Sequence, residues 1–384
     1  MKKALVILIL LALVGGGLFA QTLTVATNIE GGFAVVENGA DEMSFSGVAP
    51  DFGWVNGAVA RFQFDYVNAQ GNAGYRLRFQ TNAANAGAWN AGLLMHNAWG
   101  WIRLFDNMVE FRGGRIWEDQ LSSNDPWGFG WSLPGHTYGV TSYIRPIGNL
   151  LTIGLGGYSN GEGIWEEAAL RFLLGFAVNF DMGNFRTQLF INDGGRDGAG
   201  VEDAMHAQVT LSLTPVADIP VFVGARINNL NEFGDYGVMR FYAHVGFNGI
   251  QDLALGVGGA FGIASWDDAD PFMGFGAWMT FDLGVVMPRL DLYFVNGGEY
   301  RYAAGLNPAA EIIDDGSMTF WADQSYLNIR PALQFRVSPN NYFQIGGIFN
   351  IDLGDVSAVG RYDGETGVTW GAFVTTRISL PYTF

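Results

Sequence analysis

Gly371-Ala372-Phe373-Val374-Thr375-Thr376-Arg377-Ile378-Ser379-Leu380-Pro381-Tyr382-Thr383-Phe384 is the stretch that decides the fold. Val374, Thr376, Ile378, Leu380, Tyr382 and Phe384 share one face; Phe373, Thr375, Arg377, Ser379, Pro381 and Thr383 share the other. Side chains alternate with a period of two along a strand, so this reads as a strand with an apolar face ending on an aromatic residue. An open strand edge of that kind is sticky in water. A barrel closed on itself has no open edge, because its last strand pairs with its first.

The opposite end agrees. Lys2 and Lys3 precede the apolar run Ala4 to Val14, then Gly15 to Gly17 and Leu18-Phe19-Ala20. This is the pattern of an export signal cut after Ala20, giving a signal peptide over 1–20 and one barrel domain over 21–384. The run is too short for a good spanning helix, although an uncleaved anchor is the alternative. The chain has no cysteine, which excludes a lipid-modified N-terminal Cys and a disulfide framework. The last dozen residues resemble the C-terminal targeting strand of bacterial outer-membrane β-barrels, which closes on a terminal Phe. That resemblance implies an outer membrane of Gram-negative type, its lipids as surroundings, and the barrel-assembly machinery as a partner reading Phe384.

Composition separates a membrane barrel from a helical membrane protein. Mean hydropathy is +0.15, yet no window of 18 apolar residues follows the signal. The longest candidate, 253–264, is interrupted by Gly256, Gly258, Gly259 and Gly262. The 55 glycines and 15% aromatics suit barrel walls with aromatic girdles and tight turns. No linker or change in composition divides the chain.

Alternation predicts strands over 23–36, 52–68, 73–83, 92–105, 108–116, 138–146, 150–159, 168–182, 185–192, 204–214, 219–230, 237–248, 253–264, 272–283, 286–297, 325–338, 342–353 and 367–384. The expectation is an all-β, antiparallel up-and-down transmembrane barrel of 18 strands, or 16 if the first strand and a neighbouring one lie outside the wall. Short connections such as 69–72, 106–107, 183–184 and 339–341 alternate with long ones at 37–51, 117–137, 193–203, 298–324 and 354–366. Such alternation marks a barrel with periplasmic turns and external loops. In 168–182, Leu170, Phe172, Leu174, Phe176, Val178 and Phe180 oppose Arg171, Asn179 and Asp181. A soluble sandwich alternates too, but with its apolar face inside.

Charge placement points to transport. Beyond the signal there is no Lys, and all 18 cations are Arg. Fourteen of the 15 strand arginines share the polar face; Arg115 alone breaks parity, which indicates a bulge or a strand already ending. Of the 37 acidic residues, 27 fall in the long loops. A barrel of 16 to 18 strands leaves an aqueous channel. Inward guanidinium groups in such number need water, since unpaired buried charges are costly. The competing reading is that they only brace the wall through ion pairs such as Arg112 with Glu110.

The connection 117–137 follows the fifth expected strand and contains Glu118, Asp119, Asp125, Trp127, Phe129 and Trp131. Its place in the chain is similar to the constriction loop of general bacterial porins. That resemblance implies a loop folded into the lumen, with Glu118, Asp119 and Asp125 opposite Arg61, Arg76, Arg78, Arg103 and Arg112. It also implies a homotrimer. Opposed charges across a constriction would favour small polar solutes and ions. The plainer alternative is an external loop covering the mouth. Trp99 and Trp101 share the parity of Arg103, and with Trp127 and Trp131 they suggest contacts of a sugar-selective porin, since a pyranose stacks on rings. The same rings also fit a girdle.

Other chemistry is thin. Asp267, Asp268, Asp270, Asp314 and Asp315 lack calcium-loop spacing, and no metal or cofactor is expected. His206 and His244 have inward parity without a Ser and acid to pair with, so no enzyme is expected. The acidic exterior disfavours nucleic acid. A surface-display barrel without transport remains the alternative class.

Overall fold

The computed structural model describes residues 20–37, 43–47, 59–81, 93–116, 137–159, 170–192, 205–232, 234, 237–265, 271–296, 313–315, 318–320, 325–338, 341–353 and 368–383. In chain order the strands are β1 (Ala20–Glu37), β2 (Met43–Gly47), β3 (Val59–Asn68), β4 (Ala73–Thr81), β5 (Leu93–Leu104), β6 (Val109–Ile116) and β7 (Thr137–Ile144). They continue as β8 (Leu151–Ser159), β9 (Leu170–Phe180), β10 (Gly183–Asn192), β11 (Met205–Val216), β12 (Ile219–Asn228), β13 (Val238–Ile250) and β14 (Leu253–Ala264). The remainder are β15 (Phe272–Phe281), β16 (Val286–Asn296), β17 (Ile313–Asp315), β18 (Met318–Phe320), β19 (Ser325–Ser338), β20 (Asn341–Asp352) and β21 (Val368–Thr383).

Every wall strand pairs antiparallel with its sequence neighbours, and the ring closes where β21 pairs with β1 from Thr24↔Thr383 to Val36↔Gly371. Leaving out β2, β17 and β18, the wall holds 18 strands. The first strand, on which the choice between 16 and 18 turned, pairs with β3 on one side and β21 on the other. The short strands lie in segments read from sequence as plain loops. Among the described residues β1 pairs with β3 from Ala20↔Asn68 to Glu30↔Val59, and beyond that with β2, from Phe33↔Gly47 to Glu37↔Met43.

The barrel is inverted relative to a soluble protein. On β9, Phe172, Leu174 and Phe176 are 50%, 37% and 39% exposed, whereas Leu173 and Ala177, of the opposite parity, are buried. Phe241, Val245, Val257, Phe261 and Phe275 are likewise exposed, while Gln188, Gln208, Arg240, Asp291, Asn328, Gln334 and Gln344 are buried. In a closed ring the sheltered face is the concave one, so polar side chains occupy the interior and apolar ones the outside. That outer surface can be stable only against lipid.

Two glycine positions explain local packing. Arg115 interrupts the sequence parity, yet β6 pairs on to Ile116↔Thr137 without a bulge. The irregular residue is Gly114, at φ 127°, where an added Cβ would meet the Ala98 carbonyl. At Gly74 the ring of the directly paired Trp101 lies over the backbone, where a Cβ would stand 2.8 Å from Trp101 Cζ2. Gly346 is covered in the same way by its partner Phe373.

Candidate functional site

Strands β3 to β7 carry the densest charge, and their register arranges it in lateral rungs. One rung runs Gln63↔Arg78↔Asn97 and the next Asp65↔Arg76↔Trp99. Below them run Gly74↔Trp101↔Arg112↔Thr141 and Arg103↔Glu110↔Tyr143. Directly opposite residues lie about 4.5–5.5 Å apart, within reach of long side chains. Because the short turns fix this register, an inward Arg on one strand meets an inward carboxylate, amide or ring on the next.

The contacts follow from those rungs. Arg76 Nε donates to Asp65 Oδ1 at 2.7 Å, and Arg78 Nε donates to Gln63 Oε1 at 2.7 Å. Gln63 Nε2 in turn donates to Asp65 Oδ2 at 2.6 Å. Glu110 is fully buried and accepts from three arginines: Arg112 Nε at 2.6 Å, Arg103 Nε at 2.8 Å and Arg145 Nη2 at 3.2 Å. Rings back the cations. Arg103 lies 4.2 Å over Trp101, Arg112 lies 4.7 Å from Trp99 and 5.1 Å from Tyr143, and Arg76 lies 5.9 Å from Trp99. Such contacts stabilise a guanidinium while leaving its edge available to donate. Arg103 and Glu110 stand next to the turn 105–108, so at about 3.3 Å per residue this part of the cluster lies within roughly 10 Å of the short-turn end.

A second cluster stands on β16 and β19. Arg289 donates to both oxygens of Asp291, at 2.7 and 3.0 Å, and Asp291 pairs in register with Arg330. The Arg330 guanidinium lies 5.3 Å from the Tyr293 ring. Arg336 donates to Asp282 at 2.9 Å and to Gln334 at 2.8 Å.

Of the nominated residues, Arg76, Arg78, Arg103 and Arg112 come together, and Arg61 joins the same wall opposite Gln80. Glu118, Asp119, Asp125, Trp127 and Trp131 lie outside the described residues, as does loop 117–137 apart from Thr137. Trp99 is buried and Trp101 half-buried, each with a guanidinium against its ring. Sequence reasoning named neither Asp65 nor Glu110 as site residues, nor Tyr143, Arg145 or the β16–β19 cluster. The signal was present: each carboxylate sits one or three residues from a short turn, across from an arginine at the same count.

Among the described residues, five arginines of the first cluster (Arg76, Arg78, Arg103, Arg112 and Arg145) face two carboxylates, Asp65 and Glu110. An excess of permanent positive charge on a concave wall attracts anions and polar solutes and repels apolar ones.

No family model matches the chain, and no curated protein does. Solved structures match along nearly its whole length. The outer membrane protein opdK from Pseudomonas aeruginosa gives a TM-score of 0.59 at 11% identity, covering 95% of this chain and 100% of that one. OccK2 (OpdF) of the same organism, in complex with glucuronate, gives 0.58 at 11% identity, covering 94% and 99%. An anion-selective porin from Comamonas acidovorans gives 0.54 at 11% identity, covering 94% and 100%. At that identity the likeness establishes the porin fold.

Proposed function

We propose that this chain is an outer-membrane channel for passive diffusion of small polar solutes and ions, with anions favoured where it is most basic. The observation that carries the reading is the fully buried Glu110 among three arginines on the inside of a barrel whose outside is apolar. Ionised groups in such excess are stable only beside water, and 18 strands enclose enough width for it. The porin fold supports the same conclusion, and so do two matched proteins, one crystallised with a sugar acid and one described as anion-selective. A sugar entering this lumen would meet guanidinium edges, because the Trp99 and Trp101 rings are already engaged.

The surrounding biology follows from that reading. Residues 1–20 would direct export, the lipid-facing strands would contact outer-membrane lipids, and the strand ending at Phe384 would be read by the barrel-assembly machinery. A homotrimer would be its assembly, as the resemblance to general porins implies. Loop 117–137 would narrow the lumen, with Glu118, Asp119 and Asp125 facing the β3–β6 arginines. Purified protein in planar bilayers is expected to give discrete conductance steps; a folded barrel without steps overturns the channel. In a salt gradient Arg76→Ala should move the reversal potential toward cations and Asp119→Ala toward anions. Identical behaviour of the two variants removes the constriction.

A further inference from the structure

We propose that Glu110 is a positioning residue of this channel, holding Arg103 and Arg112 as one fixed anion contact and setting the anion preference of the lower lumen. The inference rests on the channel reading above and adds to it the group that regulates its selectivity.

Both arginines bind Glu110 through Nε, Arg112 to Oε1 at 2.6 Å and Arg103 to Oε2 at 2.8 Å. Their ring contacts, Trp101 for Arg103 and Trp99 with Tyr143 for Arg112, engage the guanidinium planes. Nε edge and plane are therefore both committed. What is left is the pair of terminal nitrogens on each side chain, and the described residues give these no other acceptor. A guanidinium has five N–H donors in a rigid fork, so a group tethered by Nε still presents most of its donors in a fixed direction. Arg103 retains about a third of its side-chain exposure, which puts that surface within reach of a passing solute, while the buried Arg112 backs it from behind and adds its charge. Arg145 closes the third side: Nη2 donates to Glu110 Oε2 at 3.2 Å and Nη1 to the Asn107 carbonyl at 3.2 Å, tying the cluster to the short turn.

Charge bookkeeping gives the second half of the proposal. Among the described residues, three cations on one carboxylate leave a net charge of +2, against +3 if the carboxylate were neutral. Glu110 thus does two opposing things. It orders the donors that touch an anion, and it lowers the potential that draws the anion in. A site built this way passes anions without trapping them, as conduction requires.

The two roles separate in two substitutions. Glu110→Gln removes the charge but keeps an acceptor oxygen; Glu110→Ala removes both. In bilayers under a potassium chloride gradient, Glu110→Gln is expected to raise the anion-to-cation permeability ratio on the order of threefold, the Boltzmann factor for one unit charge several ångströms away in a water-like medium. Glu110→Asp should restore the wild-type ratio. With sulfate added, block of the chloride current should be several-fold stronger in Glu110→Gln than in Glu110→Ala, because only the former still orders the donors. Arg145→Gln, at the rim, should shift the ratio toward cations and provides a test if the Glu110 variants fold poorly. A ratio unchanged by both Glu110→Gln and Arg145→Gln, in barrels that keep their heat-modifiable migration, overturns the proposal and leaves Glu110 as a brace only. Wild-type protein without conductance steps overturns the channel reading itself, a result distinct from the first.

Discussion

Gly114 shows how much a single backbone angle holds in place. At φ 127° it lets β6 pair with β5 while Arg112 and Trp99 meet; a Cβ there would meet the Ala98 carbonyl and stand 2.8 Å from Trp99 Cα. Gly114→Ala is therefore expected to destabilise the barrel by about 1–3 kcal/mol, the usual cost of a side chain in that region. Urea titration in lipid vesicles measures it, and an unchanged midpoint would contradict the strain. From sequence alone Arg115 pointed at this spot as a break in parity, but not at the residue responsible. The same limit blurred Glu110. Its inward parity and its pairing with Arg112 were legible, yet the convergence of Arg103 and Arg145 on it depends on the turn 105–108, where Phe105, Asp106 and Asn107 all take positive φ and set the β5–β6 register. A residue count cannot supply those angles.

At the scale of elements, alternation located the strands because lipid on one side and water on the other leave each strand a strictly two-faced pattern. β9 illustrates it, with Phe176 outward and Ala177 inward. Phe176→Arg, near the middle of β9, should cost about 2–4 kcal/mol of folding free energy in bilayers, as for a cation at the membrane midplane. Folding yield in vesicles would register the loss; full wild-type stability would place that face away from lipid. Closure can be tested as directly. Ile29 and Ile378 are register partners at the β1–β21 seam, and the chain contains no native cysteine. The double variant Ile29→Cys, Ile378→Cys should form a disulfide across the seam, since paired residues in antiparallel strands fall within disulfide reach. Boiled, non-reduced protein would then migrate faster than its reduced form, whereas a wall of 16 strands lacking β1 would leave both thiols free. The small strands β2, β17 and β18 escaped the sequence reading because pieces of 3 to 5 residues are too short to show a period.

For the whole molecule, the interior cations of the described strands are arginines without a lysine among them. Guanidinium groups keep their proton throughout the range in which proteins survive. Ion selectivity is accordingly expected to stay constant between about pH 7 and 10, where a lysine-lined pore would begin to lose charge. A reversal potential drifting toward cations over that range would point to a different lining. The solute itself was not legible in the sequence, because recognition depends on where loop residues stand across the lumen and parity gives only inside or outside. The rings lying over Gly74 and Gly346 carry one more consequence. Aromatic mass laid flat there is stored in the thickness of the tube and not in its cross-section. Electrical resistance falls as the open area grows, so each bare backbone position beneath a ring keeps the bore wide, and a methyl group added there would throttle the flow.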